Sequence, residues 1–137
     1  MTALPPSFKA YDIRGRVPED LDADLAYRIG LAMVQHLGGG RFAVGRDCRL
    51  SSDELATALI RGLTTGGADV LDIGLCGTEM IYHTTAARGL AGGVMVTASH
   101  NPMDHNGMKL VRDEARPISG DTGLFEIGAL AVGGELK

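Results

Sequence analysis

Cysteine is scarce in this chain of 137 residues, which has only Cys48 and Cys76. Two thiols without zinc-type spacing exclude a disulfide scaffold and fit a reducing compartment. Positive charge is also short: 13 Lys and Arg face 17 Asp and Glu, a net charge of −4 and a pI near 5.5. A mildly acidic chain lacks the basic footprint of a dedicated nucleic-acid binder. No apolar run approaches the roughly 18 residues of a membrane-spanning helix. The opening Met1-Thr2-Ala3-Leu4-Pro5-Pro6 has no basic region and no apolar stretch, so no secretory signal is expected. These absences predict a cytoplasmic protein with no nucleic-acid partner and no membrane partner.

Disorder is excluded too. Hydrophobic residues make up 45% of the chain, and its length suffices for one domain with a real core. Glycine is plentiful, 20 of 137 residues, which is about double the average share. Much of it falls in clusters, Gly38-Gly39-Gly40, Gly66-Gly67, Gly92-Gly93 and Gly133-Gly134, that punctuate periodic segments.

Between these breaks the periodicity alternates. Leu25, Ile29 and Met33 are spaced as on a helix over 22–37, with Gly38 as its stop. Arg41 to Arg46 reads as a strand. Ser51 with Glu54 forms a capping-box pattern opening a second helix, lined by Leu55, Leu59 and Leu63 and ended by Gly66. Ala68 to Ile73 reads as a strand, and Thr78 as the N-cap of a third helix ending near Gly89. Gly93 to Thr97 is a buried strand by composition, and Gly107 to Arg112 is another. About ten residues separate these two strands, too few for a parallel crossover, so the last is expected to run antiparallel. Tyr11 to Arg14 adds an edge strand or an extended arm, and Thr122 to Val132 a terminal helix. The expected architecture is α/β: a three-layer αβα sandwich around a mixed, mostly parallel sheet of about four strands.

Ligands of open α/β sheets bind beyond the carboxyl ends of the strands. Three loops leave such ends: Gly45-Arg46-Asp47, Gly74 to Thr78, and Thr97 to Gly107. The third carries the most chemistry. Ser99 follows an apolar strand, where a hydroxyl is held rigidly yet exposed, and Pro102 stiffens the exit. His100 is placed to act in acid/base chemistry, and Lys109 returns a cation to the same edge. As residues alone, Ser99-His100 before Asn101-Pro102 also reads as an ordinary polar turn. The Gly-x-Ser-x-Gly elbow of a serine hydrolase is absent, and His100 with His105 lacks the spacing of a helical metal pair. His36 and His83 read as surface or core histidines, and Cys48 and Cys76 as small buried residues or bystanders.

Thr97-Ala98-Ser99-His100-Asn101-Pro102, followed by Asn106-Gly107-Met108-Lys109, resembles the phosphoserine loop of the α-D-phosphohexomutases. Phe8-Lys9-Ala10-Tyr11-Asp12-Ile13-Arg14-Gly15 resembles the opening stretch of the same family. Val44-Gly45-Arg46-Asp47 with Arg49 and Ser51-Ser52 resembles its segment before the second helix. The three motifs occur in the family's order and span nearly the whole chain. His105 departs from the pattern, standing where the family often has tyrosine.

The resemblance implies that residues 1–137 are a single domain, the first of four, with domains II–IV absent. It implies an isomerase that interconverts hexose 1-phosphate and 6-phosphate, of glucose or mannose, through a bisphosphorylated sugar. Ser99 is then the phosphoserine. Arg14 holds phosphate or the reacting hydroxyl, and Lys109 acts as general acid/base or charge stabiliser. His100 moves protons or shapes the loop, and Tyr11 faces the substrate cleft. Substrate binding falls to Tyr11, Arg14, Ser99 and Lys109. Mg²⁺ is implied as a ligand of the Ser99 phosphate, its remaining ligands in domain II, and glucose 1,6-bisphosphate as activator and intermediate. The family's metal loop and sugar-reading loop do not occur here. The isolated chain is therefore expected to be nearly inactive, monomeric or weakly self-associating, with the remaining domains as its partners. A non-catalytic phosphosugar-binding module and a small Ser-His phosphatase or esterase are the competing readings.

Overall fold

The computed structural model describes residues 7–9, 12–97 and 104–133. The expected edge strand forms as β1, Ile13–Arg16, and it raises the sheet to five strands rather than about four. There follow α1 (Ala23–Leu37), β2 (Arg41–Arg46), α2 (Leu50–Thr65), β3 (Asp69–Leu75), α3 (Thr78–Ala87), β4 (Gly92–Val96) and β5 (His105–Arg112). Two 3₁₀ turns, Asp113–Ala115 and Gly120–Thr122, lead to α4, Leu124–Val132. The α/β expectation holds, with the strands in the order β1-β5-β4-β2-β3.

β2 pairs in parallel with both β3 and β4, while β5 runs antiparallel to its neighbours β4 and β1. Four strands thus share one direction, and the single reversed strand lies inside the sheet. The short link between β4 and β5 leaves no room for a crossover helix, so the chain must double back. Alternation along the strands sends Phe42, Val44, Val94, Val96, Met108 and Leu110 to one face, against α1, α2 and α4. Ala43, Met95 and Val111 face the other side, where Ile81 of α3 packs. β4 is buried at every position, which is why its sequence is an unbroken apolar run.

Helix α1 stops at Gly38 as the sequence predicts, and its start is capped by Asp22. The Asp22 carboxylate accepts the Leu25 N–H at 2.8 Å, and Gly38, at φ 91°, ends the helix. Helix α2 departs from expectation. It starts at Leu50, and the Ser51–Glu54 capping box does not form. Ser51 lies inside the first turn, where its hydroxyl accepts from Asn106 Nδ2 at 2.8 Å. At the far edge of the sheet, β3 carries a bulge. The register with β2 slips between Val44 and Gly45, Gly74 adopts φ 70°, and Asp72 Oδ1 accepts the Gly74 N–H at 2.9 Å. Among the described residues no helix is long and apolar enough to cross a membrane.

Candidate functional site

The carboxyl ends of the parallel strands and the start of β5 meet at one edge of the sheet. Arg46 pairs with Leu75 on one side and Val96 on the other, and Arg16 pairs with His105. Residues 98–103 lie between β4 and β5 in the sequence. Ser99 and His100 fall in that segment, and Tyr11 follows Ala10, so all three lie outside the described residues. Arg14 and Lys109 lie within them.

Arg14 and Lys109 share a sheet face. Ile13, opposite Met108, turns to the buried α1 side, so Arg14, opposite Gly107, turns to the other. Lys109 is two residues beyond Gly107 on β5 and opposite Met95, which makes it the diagonal neighbour of Arg14 at about 7 Å. Helix α3 covers β2 and β4 on this face, and the strands that carry the two cations, β5 and β1, follow β4 outward in the sheet. Gly107 is what lets the strands approach. A Cβ there would run into the Ile13 carbonyl oxygen and stand 2.9 Å from Arg14 Cγ. The Arg14 guanidinium is steered by Asp12, with Nε 3.0 Å from Oδ1, while the arginine stays 45% exposed. Lys109 is half-buried and has no ion pair among the described residues.

A second cluster joins the start of α2 to the exit of β4 and the start of β5. The Asp47 carboxylate accepts the Thr97 hydroxyl on Oδ2 at 2.7 Å, and the Ser52 hydroxyl and the Arg49 N–H (3.1 Å) on Oδ1. Arg49 Nε also stands 3.3 Å from Oδ2. Burial pushes the Asp47 carboxyl up, but the hydrogen bonds from Ser52, Thr97 and Arg49, with the Arg49 charge, outweigh it and hold the group below the usual carboxylate range. The cluster reaches β5 by two routes. Arg49 donates to the His105 carbonyl at 3.2 Å, and the fully buried Asn106 donates to Ser52 Oγ at 2.9 Å.

Asp47, Arg49, Ser52 and Asn106 stand within the motifs of the sequence, but nothing in those motifs alone assigns them a part in the site. The available signal is an Asp two residues before the N-cap of a helix, placed to accept the Arg49 N–H. Cys48 is exposed, as a bystander would be, and Cys76 is half-buried against the core cluster around Ile81 and Met95. At the rim, Asp104 Oδ1 meets His105 Nδ1 at 2.9 Å.

The described residues do not fit a resident Mg²⁺. They hold no group of three His, Cys, Asp or Glu able to share a metal. A hard cation needs about six oxygen ligands, and both Asp47 oxygens are already engaged by donors.

The sequence profile for phosphoglucomutase/phosphomannomutase, alpha/beta/alpha domain I, matches residues 5–131. The chain is 62% identical over 122 residues to a protein named phosphohexose mutases from Xanthomonas campestris pv. campestris, across 89% of this chain and 27% of that one. It is 60% identical over 124 residues to a phosphomannomutase of Klebsiella pneumoniae, across 90% of this chain and 79% of that protein. A crystal structure of a phosphoglucomutase/phosphomannomutase family protein from Burkholderia thailandensis matches with a TM-score of 0.86 at 36% identity, over 100% of this chain and 32% of that chain. The chain thus spans only 27% of the length of the Xanthomonas relative.

Proposed function

This chain belongs to the phosphoglucomutase/phosphomannomutase family, and on that premise we propose that it is the phosphoserine-bearing first domain of a longer phosphohexomutase. That enzyme interconverts hexose 1-phosphate and hexose 6-phosphate in the cytoplasm, and residues 1–137 supply about a quarter of its working parts. The observation that best supports the reading is the pair Arg14 and Lys109, brought to one sheet face by β1 and β5.

In this reading Ser99 enters the cycle phosphorylated. The free hydroxyl of the hexose phosphate attacks the phosphorus, the Ser99 Oγ–P bond breaks, and the hydroxyl proton passes to the site. The products are a hexose bisphosphate, glucose 1,6-bisphosphate for the glucose substrate, and a serine that regains a proton on Oγ. The bisphosphate turns over, and its other phosphoryl group returns to Ser99 by the reverse bond changes. One covalent intermediate thereby divides a transfer across the sugar into two transfers at one point.

Such transfers depend on alignment and positive charge around the moving group more than on unusual side chains. Arg14 supplies a planar fork for phosphate oxygens, and Lys109 a point charge beside it. His100, next to the nucleophile, carries the proton between Oγ and the sugar hydroxyl. Tyr11 lines the substrate cleft. The Ser99 phosphate would be this chain's one ligand to a Mg²⁺ held otherwise from outside it, and the ion would supply charge neutralisation when bound.

Mass mapping of the longer enzyme after incubation with glucose 1,6-bisphosphate tests the reading. A gain of about 80 Da on the peptide containing Ser99 is expected, and phosphate on any other residue, or none, overturns it. In a coupled assay for glucose 6-phosphate the isolated chain should turn over far more slowly than the longer enzyme. Comparable rates would show the chain to be complete by itself.

A further inference from the structure

We infer that Asp47 is a positioning residue for the segment 98–103, tying the end of β4 to the start of β5 and fixing the two points between which that segment runs. The functional meaning of the tie rests on the reading of Ser99 given above, but the tie is built wholly from described residues.

Asp47 lies two residues before Arg49, the N-cap of α2, and capping alone would account for the Arg49 N–H and Ser52 contacts. It would not account for the rest. Thr97 reaches the same carboxylate from 50 residues away, at the last described position of β4's exit. Arg49, paired with Asp47, donates to the His105 carbonyl 56 residues away. Ser52, donating to Asp47, receives Asn106 Nδ2. Asn106 Oδ1 in turn accepts the Gly107 N–H at 2.8 Å, so the amide is held by both its ends. Backbone bonds run alongside, from Asp47 N to the Val96 carbonyl at 3.1 Å and from Thr97 N to the Gly107 carbonyl at 2.9 Å.

One carboxylate therefore serves three strand ends: its own after β2, the exit of β4 and the start of β5. Asn106 and Ser52 are both fully buried. A buried polar chain of this kind costs desolvation unless every member is paired, and when paired it admits one geometry. An apolar cluster would fill the same space without setting the separation of Thr97 from His105. The ionised form of Asp47 is the one that accepts from every donor facing it.

Two substitutions separate positioning from bulk stability. Asp47→Asn keeps the shape but exchanges an acceptor oxygen for a donor, and Thr97→Val removes one hydroxyl at constant size. Hydrogen exchange is the first readout. In either variant the amides of Thr97 and Gly107 should exchange about tenfold faster, with core helix amides such as Ile29 and Leu59 changing less than about twofold. Thr97→Ser should restore protection. Asp53→Asn, which breaks only the surface pair with Arg46 at the same edge, should leave it unchanged. The second readout is the longer enzyme, where kcat should fall about tenfold with KM within about twofold, since alignment and not binding is lost. Wild-type exchange at Thr97 and Gly107 in both variants, or loss of protection spread evenly through α1 and α2, overturns the inference. If Ser99→Ala leaves turnover intact, the reading of Ser99 fails, while the exchange results still decide for or against the tie.

Discussion

Gly30 of α1 and Gly62 of α2 meet where the two helices cross, backbone against backbone. A Cβ on Gly30 would stand 2.5 Å from the Leu59 carbonyl oxygen, and one on Gly62 would strike the Tyr27 carbonyl and come within 3.1 Å of Gly30 Cα. A helical glycine costs roughly 1 kcal/mol against alanine by propensity. Here the close approach reverses the sign. Gly62→Ala should destabilise the chain by about 1–3 kcal/mol, measured by urea unfolding, and a more stable variant would show that the helices can separate freely.

Asp47 makes a prediction about acid. Its carboxyl titrates below the ordinary range in the folded chain, so the folded state holds fewer protons than the unfolded state near its titration. The resulting stability is fully present above the unfolded pKa, near pH 4. It is lost as pH falls through the folded pKa. The slope of unfolding free energy against pH below about 4 should therefore be shallower in Asp47→Asn than in the wild type. Parallel slopes would mean that the carboxylate gains nothing on folding.

The two cations of the β1–β5 face should be dispensable for folding and indispensable for turnover. Replacing Lys109 by methionine is expected to change stability by less than about 0.5 kcal/mol, as for other substitutions that break no buried partner. In the longer enzyme, Lys109→Met and Arg14→Ala should each lower kcat by about 10²-fold or more. Unchanged turnover in both would remove this face from the site.

The two thiols should differ in chemistry. Burial pushes the Cys76 thiol up, with the negative charges of Asp72 and Glu79 acting in the same direction against a backbone hydrogen bond from Arg46 to the sulfur. Cys48 is exposed in the loop after β2. Brief iodoacetamide treatment at neutral pH should modify Cys48 first. Preferential labelling of Cys76, read by peptide mapping, would contradict this.

Much of this fold is legible in the sequence because local signals and tertiary demands agree. The apolar run of β4 follows from burial on both faces, the Gly38 stop of α1 from local backbone chemistry, and the reversal of β5 from a link too short to cross over. The Ser51 cap is misread because a partner on β5 claims its hydroxyl, and nothing near Ser51 announces Asn106. Asp47 illustrates the same limit. Its capping contacts are local, but the partner that gives it wider meaning, Thr97, lies 50 positions on. Of the candidate site, the Arg14–Lys109 pairing is readable only once the register of β1 on β5 is known. Alternation assigns each residue a face but not which strands are neighbours. Gly30 and Gly62 look like two weak points in helices, and only their crossing explains them.

The bulge in β3 has a consequence for the molecule in solution. β3 is an edge strand, and a straight edge offers a ladder of unpaired amides to any other strand that meets it. The twist at Gly74, with the acidic side chains of Asp69 and Asp72 along the same strand, interrupts that ladder. The opposite margin, β1, is only four residues long and folds back on the preceding segment through Phe8 and the Ser7 carbonyl. Neither margin welcomes a further strand, so the sheet ends with its own five strands and is guarded against growing into a fibril.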